Sequence, residues 1–203
     1  MQAITDTKHL TVQTLPPILV LTGEDVGQFE WLKKDILKKI GYDPSDLNYS
    51  YFDMKEASYA EVELDLVSLP FFADEKIVIL DHLLDLTTAK KRNLTDEDLK
   101  QFENYLENPS ESTRLVIFAE GKLDSKRRLV KLLKRDAQII EATTPKEQEV
   151  KRYFSSQAQE LGLNFVGDSL DQLLLKSGYD FGELQKNLAL LQAYKEDGQI
   201  TLE

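Results

Sequence analysis

The apolar positions along the chain fall into two rhythms. Four short runs, Ile18-Leu-Val-Leu21, Ile77-Val-Ile-Leu80, Leu115-Val-Ile-Phe118 and Gln138-Ile-Ile140, lack polar alternation, and a fifth, Tyr49-Ser-Tyr-Phe52, is aromatic and alternating. Such runs suit strands buried on both faces, the signature of a parallel sheet covered by helices. Between them, apolar residues recur every three or four positions. Phe29, Leu32, Ile36 and Ile40 form one stripe, with Lys33, Lys34, Lys38 and Lys39 mostly off it and Gly41 closing the helix as its C′ residue. Tyr59 to Val67 predicts a second helix. Thr95-Asp-Glu-Asp98 predicts the cap and acidic first turn of a third, with Leu99, Phe102 and Leu106 on one face. Asp124 reads as the cap of a fourth, running through Leu129, Leu132 and Leu133 to Arg135. Strand alternating with helix in this way implies right-handed crossovers and a three-layer α/β domain.

The rhythm changes at Thr143-Thr144-Pro145. Beyond it no strand run is visible, and Pro145 to Leu161, Val166 to Lys176 and Asp180 to Tyr194 have helical spacing, broken at Gly162 and Gly178. The expected organisation is an α/β domain over residues 1–143 and a small three-helix unit over 144–203.

Composition narrows the chemistry. The chain has 203 residues, with 25 Lys and Arg against 36 Asp and Glu, a net charge of −11. That balance disfavours wrapping DNA or an anionic membrane by bulk charge, because phosphate binding relies on basic residues displacing counterions. Cys is absent, and the two histidines, His9 and His82, are far apart in sequence, a poor metal set. No metal or cofactor is expected. No apolar run approaches the roughly 20 residues that span a bilayer, and no signal peptide is visible, so a cytoplasmic location with no membrane partner is expected.

The turn after the first strand is where a nucleotide-binding α/β protein would carry its phosphate loop. Here it reads Leu21-Thr-Gly-Glu-Asp-Val-Gly-Gln-Phe29. A working loop needs glycines at GxxxxG spacing so that backbone amides cradle phosphates, then Lys, then Ser or Thr for magnesium. Gly23 and Gly27 are one residue too close, and Gln28 and Phe29 stand at the Lys and Ser/Thr places. Glu24 and Asp25 would repel a triphosphate. Asp81, closing an apolar strand, resembles a magnesium-binding carboxylate in position, but without the loop it reads as an ordinary strand-end Asp. Neither a Gly-x-Ser-x-Gly elbow nor a paired-histidine helix is present, so nothing supports a hydrolase or metalloenzyme.

Leu19-Val-Leu-Thr-Gly-Glu-Asp25, Ser68-Leu-Pro-Phe-Phe-Ala-Asp-Glu-Lys-Ile-Val-Ile-Leu80, Lys122-Leu-Asp-Ser-Lys-Arg-Arg128 and Tyr179-Asp-Phe-Gly-Glu-Leu-Gln-Lys-Asn-Leu188 follow one another along nearly the whole chain. In that order they resemble the delta subunit of bacterial DNA polymerase III, part of the sliding-clamp loader. The resemblance implies an AAA+-like fold, a RecA-like parallel sheet with flanking helices and a degenerate nucleotide site, followed by a small three-helix lid. It also implies a further helical collar, expected to begin about where this chain stops. The implied partners are the sliding clamp (the beta subunit), the other loader subunits, and primed DNA through the assembled complex. As a subunit, such a chain belongs to a DNA-directed DNA polymerase holoenzyme, a nucleotidyltransferase, with no catalytic site of its own expected.

Carried onto this sequence, the family's clamp-binding wedge falls on Leu69, Phe71 and Phe72, with Ser68 and Pro70 shaping the turn. Pro70 fixes φ and stops the preceding helix, which would push two aromatic rings out between a helix and a strand. Taken without the resemblance, the same rings would pack under the sheet. Lys122 to Arg135 holds seven basic residues and one acid, Asp124. A basic face opposite a leucine stripe reads as a solvated surface, or as a contact for DNA or a neighbouring subunit through Lys126, Arg127, Arg128 and Lys131. Two alternatives remain at this level: a divergent AAA+ ATPase using Asp81, and a DNA-binding module using residues 122–135.

Overall fold

The computed structural model describes residues 1–70, 73–194 and 199–201. After a short helix α1 (Gln2–Thr7), the chain runs β1 (Ile18–Gly23), α2 (Val26–Lys39), β2 (Tyr49–Asp53), α3 (Tyr59–Val67), β3 (Lys76–Asp81), α4 (Asp96–Glu107), β4 (Thr113–Glu120), α5 (Arg128–Asp136) and β5 (Gln138–Ala142). Helices α6 (Glu147–Glu160), α7 (Ser169–Lys176) and α8 (Phe181–Tyr194) follow. The larger sheet has the order β2-β3-β4-β1-β5, with every pairing parallel. This is the parallel α/β architecture that the uninterrupted apolar runs predict.

Strand alternation divides the core between the two faces of the sheet. Leu19, Leu21, Ile79, Val116, Phe118 and Ile140 face one way and pack with Phe29, Leu32 and Ile36 of α2. Val20, Val78, Leu80, Leu115 and Ile117 face the other, against Val62 and Leu66 of α3, Phe102 of α4, and Leu129 and Leu133 of α5. Central strands β1 and β3 are buried at every position, whereas the edge strand β2 is half-buried throughout.

The helix ends follow local chemistry. Ser58 and Glu61 form a reciprocal capping box at α3, as do Thr95 and Asp98 at α4. Gly41, with φ of 68°, sits just past the C-cap of α2.

The C-terminal helices lie on the α2 side. Val150 and Phe154 of α6 and Phe181, Leu184 and Leu188 of α8 join the cluster containing Phe29 and Leu32. Trp31 meets Phe181 edge-on, with ring centroids 5.9 Å apart. Helix α8 crosses α2 where Gly27 meets Gly182, and a Cβ on Gly27 would stand 2.6 Å from the Gly182 nitrogen. The two glycines permit backbone approach at that crossing.

Two expectations need correction, and one element was not expected. Helix α1 has no counterpart in the sequence reading. Residues beyond Pro145 do form strand: β6 (Asn164–Phe165) pairs in parallel with β7 (Gln199–Ile200). Asp124 does not cap α5, which begins at Arg128 with Arg127 as N-cap; its carboxylate instead organises the turn ahead of the helix.

Candidate functional site

The segment between α3 and β3 contains the proposed wedge. Ser68 leaves α3 in an extended conformation, φ −70° and ψ 150°, and its amide still donates to the Leu64 carbonyl. Leu69 precedes Pro70, whose ring disfavours helical geometry at the residue before it. The base of this loop is tied by Lys76, the first residue of β3 and only 5% exposed. Its ammonium donates to the Asp65 carbonyl, to Asp65 Oδ1 at 3.2 Å and to Ser68 Oγ at 2.7 Å. Thr113 Oγ1 donates to the Leu66 carbonyl at 3.3 Å. A cation and a hydroxyl thus satisfy last-turn carbonyls of α3 that have no partner within the helix.

Tyr59, Val62 and Leu66 turn inward from α3, while Leu64 and Val67 are 71% and 59% exposed and Leu69 beyond them is 74% exposed. Ser68 and Pro70 are half-buried. Phe71 and Phe72 lie outside the described residues. On the far side of the loop, Arg114 grips Glu75 with two parallel bonds, Nε to Oε2 at 2.9 Å and Nη2 to Oε1 at 2.6 Å. The Arg114 hydrogen bond holds the Glu75 carboxyl below the usual carboxylate range. Lys76 is the residue that the sequence reading missed, because a lysine flanking an apolar run looks like the solvated end of a strand.

At the other end of the sheet, the turn from β1 into α2 is closed by the protein itself. Gly23, φ 131°, exchanges two backbone bonds with Gly121, at 3.0 and 2.7 Å, and a Cβ there would lie 2.1 Å from the Ala142 carbonyl oxygen. The Asp25 amide donates to that same carbonyl at 3.2 Å. Asp25 Oδ1 accepts the Gln28 amide at 2.8 Å, so a carboxylate stands at the α2 N-terminus where a phosphate would sit in a nucleotide site. Asp81 is equally committed. Lys33 Nζ and the Tyr51 hydroxyl each donate to Asp81 Oδ2 at 2.5 Å, and the His82 amide donates to Oδ1 at 2.9 Å. Burial, then the Asp81 bond and charge, push the Tyr51 phenol far above its ordinary range, so it remains a donor. His82 Nδ1 also lies 2.9 Å from Asp53 Oδ1. Burial opposes ionisation of Asp53, but the Lys55 amide and His82 together hold its carboxyl below the usual value. Among the described residues, no group of three or more His, Cys, Asp or Glu side chains is arranged to hold a metal ion, and no helix is long and apolar enough to cross a membrane.

The basic segment separates into two kinds of residue. Arg127 Nε meets Asp124 Oδ2 at 3.2 Å and its Nη1 donates to the Asp85 carbonyl at 2.5 Å. Arg128 reaches across to α4, 3.4 Å from Glu103 and 2.5 Å from Glu107. Both arginines are occupied in holding elements together. Lys126 and Lys131 are exposed and have no ion pair among the described residues.

The fold and site together define a parallel α/β protein with helical C-terminal elements, in which Asp25 at the β1–α2 turn and Asp81 at the end of β3 are committed to internal hydrogen bonds. The family described as DNA polymerase III, delta subunit, matches residues 19–143. The chain belongs to that family. It is 27% identical to the DNA polymerase III subunit delta of Bacillus subtilis (strain 168) over 137 residues, 66% of this chain and 40% of the relative. The solved structure of the Bacillus subtilis DNA clamp loader delta protein, YqeN, superposes with a TM-score of 0.71 at 22% identity, covering 99% of this chain and 59% of that one. The chain therefore spans well under two thirds of the length of either protein, and the structural likeness bears on the fold.

Proposed function

We propose that this chain is the clamp-gripping part of a clamp-loader delta subunit. In this reading it binds the sliding clamp through the loop of Ser68, Leu69, Pro70, Phe71 and Phe72, helps open the ring for loading onto primed DNA, and hydrolyses no ATP. Residues 1–143 and 144–203 act as an α/β domain and a helical lid, and the other loader subunits supply nucleotide energy.

The observation that carries this reading is the Lys76 clasp on Asp65 and Ser68, which fixes the root of the loop beside exposed Leu64, Val67 and Leu69. A fixed root lowers the ordering cost of presenting apolar side chains to a pocket. Burying two phenylalanines contributes about 3–6 kcal/mol, against an association cost of about 4–15 kcal/mol. The rings alone are insufficient, and Leu64 and Val67 supply adjoining apolar surface. A preference of the bound loop for the open ring would shift the clamp's closed–open equilibrium. Commitment of Asp25 and Asp81 to internal bonds favours this over the ATPase reading. Co-elution of the chain with a purified sliding clamp tests it: a stable complex is expected, and independent migration at micromolar concentrations would contradict it.

A further inference from the structure

The exposed apolar side chains of residues 1–143 collect at one end of the sheet. Among the described residues, Val12, Leu47, Leu64, Val67 and Leu69 stand where the strands begin, and Val26 stands at the other end. Singly exposed apolar residues are ordinary, but a group of them on one rim marks an interaction surface. Leu64, Val67 and Leu69 adjoin the wedge loop, whereas Val12 and Leu47 come from other connections. Val12 lines a crevice of about 170 Å³ with Tyr49, Ala73, Glu75, Ile77 and Arg114. Leu47, 74% exposed, lies between Asp46 and Asn48, which also line it.

The crevice shares its wall with the wedge loop. Ala73 follows Phe72 directly in the chain, and the Ile77 amide donates to the Asn48 carbonyl at 2.9 Å, which holds the entry of β2 against the entry of β3. Its polar lining is already engaged. The Tyr49 hydroxyl donates to the Ile40 carbonyl at 2.6 Å, Asp46 Oδ1 accepts both the backbone and the side-chain amide of Asn48 at 2.9 Å, and Arg114 holds Glu75. A polar guest would give up water for groups that have partners, so the recognisable surface is apolar. Asp46, Asp74 and Glu75, with Arg114 spent on Glu75, also repel a phosphate-bearing ligand.

We infer that the crevice beside Val12 and Leu47 is a second docking point for the sliding clamp and receives one aliphatic side chain of the clamp's surface. The inference rests on the clamp-binding reading and deepens it. A protein seated on Leu69 and the residues that follow it in sequence next meets Ala73 and Glu75, and those two residues already belong to the crevice wall. The two anchors lie toward opposite faces of the sheet, because α3 packs on one face while Tyr49 and Ile77 belong to the other. One plug leaves the clamp free to rotate about it, and a second contact fixes the orientation.

The chain contains no cysteine, so Leu47→Cys supplies a unique thiol for an environment-sensitive fluorophore. Added purified clamp should shift its emission to shorter wavelength. The same dye on Leu175→Cys of α7, a position 69% exposed, should not respond. Val12→Thr/Leu47→Asn should keep the thermal melt of the unaltered chain and bind the clamp about 10-fold more weakly, the loss of a modest apolar contact. If Phe71→Ala/Phe72→Ala binds the clamp with unchanged affinity, the clamp-binding reading fails and this inference with it. If that variant weakens while Val12→Thr/Leu47→Asn binds as the unaltered chain does, or the dye at position 47 stays silent, the second docking point alone is overturned. A dye response to added unlabelled chain in place of clamp also overturns it, by assigning the crevice to a second copy.

Discussion

Lys76 and Asp65 meet beneath the α3–β3 loop, with the ammonium 3.2 Å from one carboxylate oxygen and also bonded to the Asp65 backbone carbonyl. Lys76 is 5% exposed, so its hydrogen-bond donors are met by these partners and by Ser68. Lys76→Met should destabilise the chain by about 1–3 kcal/mol, the cost of leaving acceptors unmet. It should also weaken clamp binding with both phenylalanines intact. Urea denaturation and clamp titration of the variant check the two effects, and unchanged clamp affinity would remove the loop-root argument.

Gly27 and Gly182 set the approach of α2 to α8. Gly27→Ala should cost about 1–3 kcal/mol, because the added methyl meets backbone rather than a flexible side-chain tip. Trp31 is the single tryptophan and packs on Phe181, so its fluorescence reports the same displacement. The expected result is a lower urea midpoint with an altered native-state emission.

Asp81 and Lys33 form an enclosed pair, with side chains 4% and 13% exposed. Asp81→Asn should lose about 3–5 kcal/mol by stranding the ammonium. Lys33→Met/Asp81→Asn should lose less than the sum of the two single changes. Chemical denaturation of the full cycle measures the coupling, and additivity would contradict the pairing. Equilibrium binding of labelled ATP should be undetectable before and after substitution.

Glu75 provides a pH signature. Its folded carboxyl is depressed by Arg114, so its contribution is present above the unfolded value, about 4.3, and is lost as pH falls through the folded value. Glu75 is 43% exposed, and solvent screening limits the contribution to about 0.5 kcal/mol. Glu75→Gln should therefore flatten the stability profile slightly between about pH 5 and pH 3 and leave the region above pH 6 parallel to the unaltered chain.

The elements legible in the sequence are those with a local cause. Tyr59–Val67 is readable to the residue because Ser58 and Glu61 cap one end and Pro70 lies just past the other. Ile18, Ile77 and Leu115 announce strands because central parallel strands need apolar side chains on both faces. Features set by distant partners are not readable. Lys76 looks like a polar flank until Asp65 is folded back against it, and Arg128 looks free until Glu103 and Glu107 arrive on α4. Helix α1, six residues long, and the two-residue strands β6 and β7 are too short to establish a period. The family motif points to Leu69 and its neighbours as the wedge, while charge counting cannot separate the arginines that hold the fold together from the lysines that remain available.

The central claim is that Phe71 and Phe72, which follow the anchored Ser68–Pro70 segment in sequence, enter the sliding clamp. Calorimetric or anisotropy titration of the sliding clamp with the unaltered chain and with Phe71→Ala/Phe72→Ala tests it most directly. The account predicts that the double variant retains its thermal stability and weakens at least about 100-fold, as two buried rings require. A double variant that folds normally and binds the clamp with unchanged affinity would contradict it.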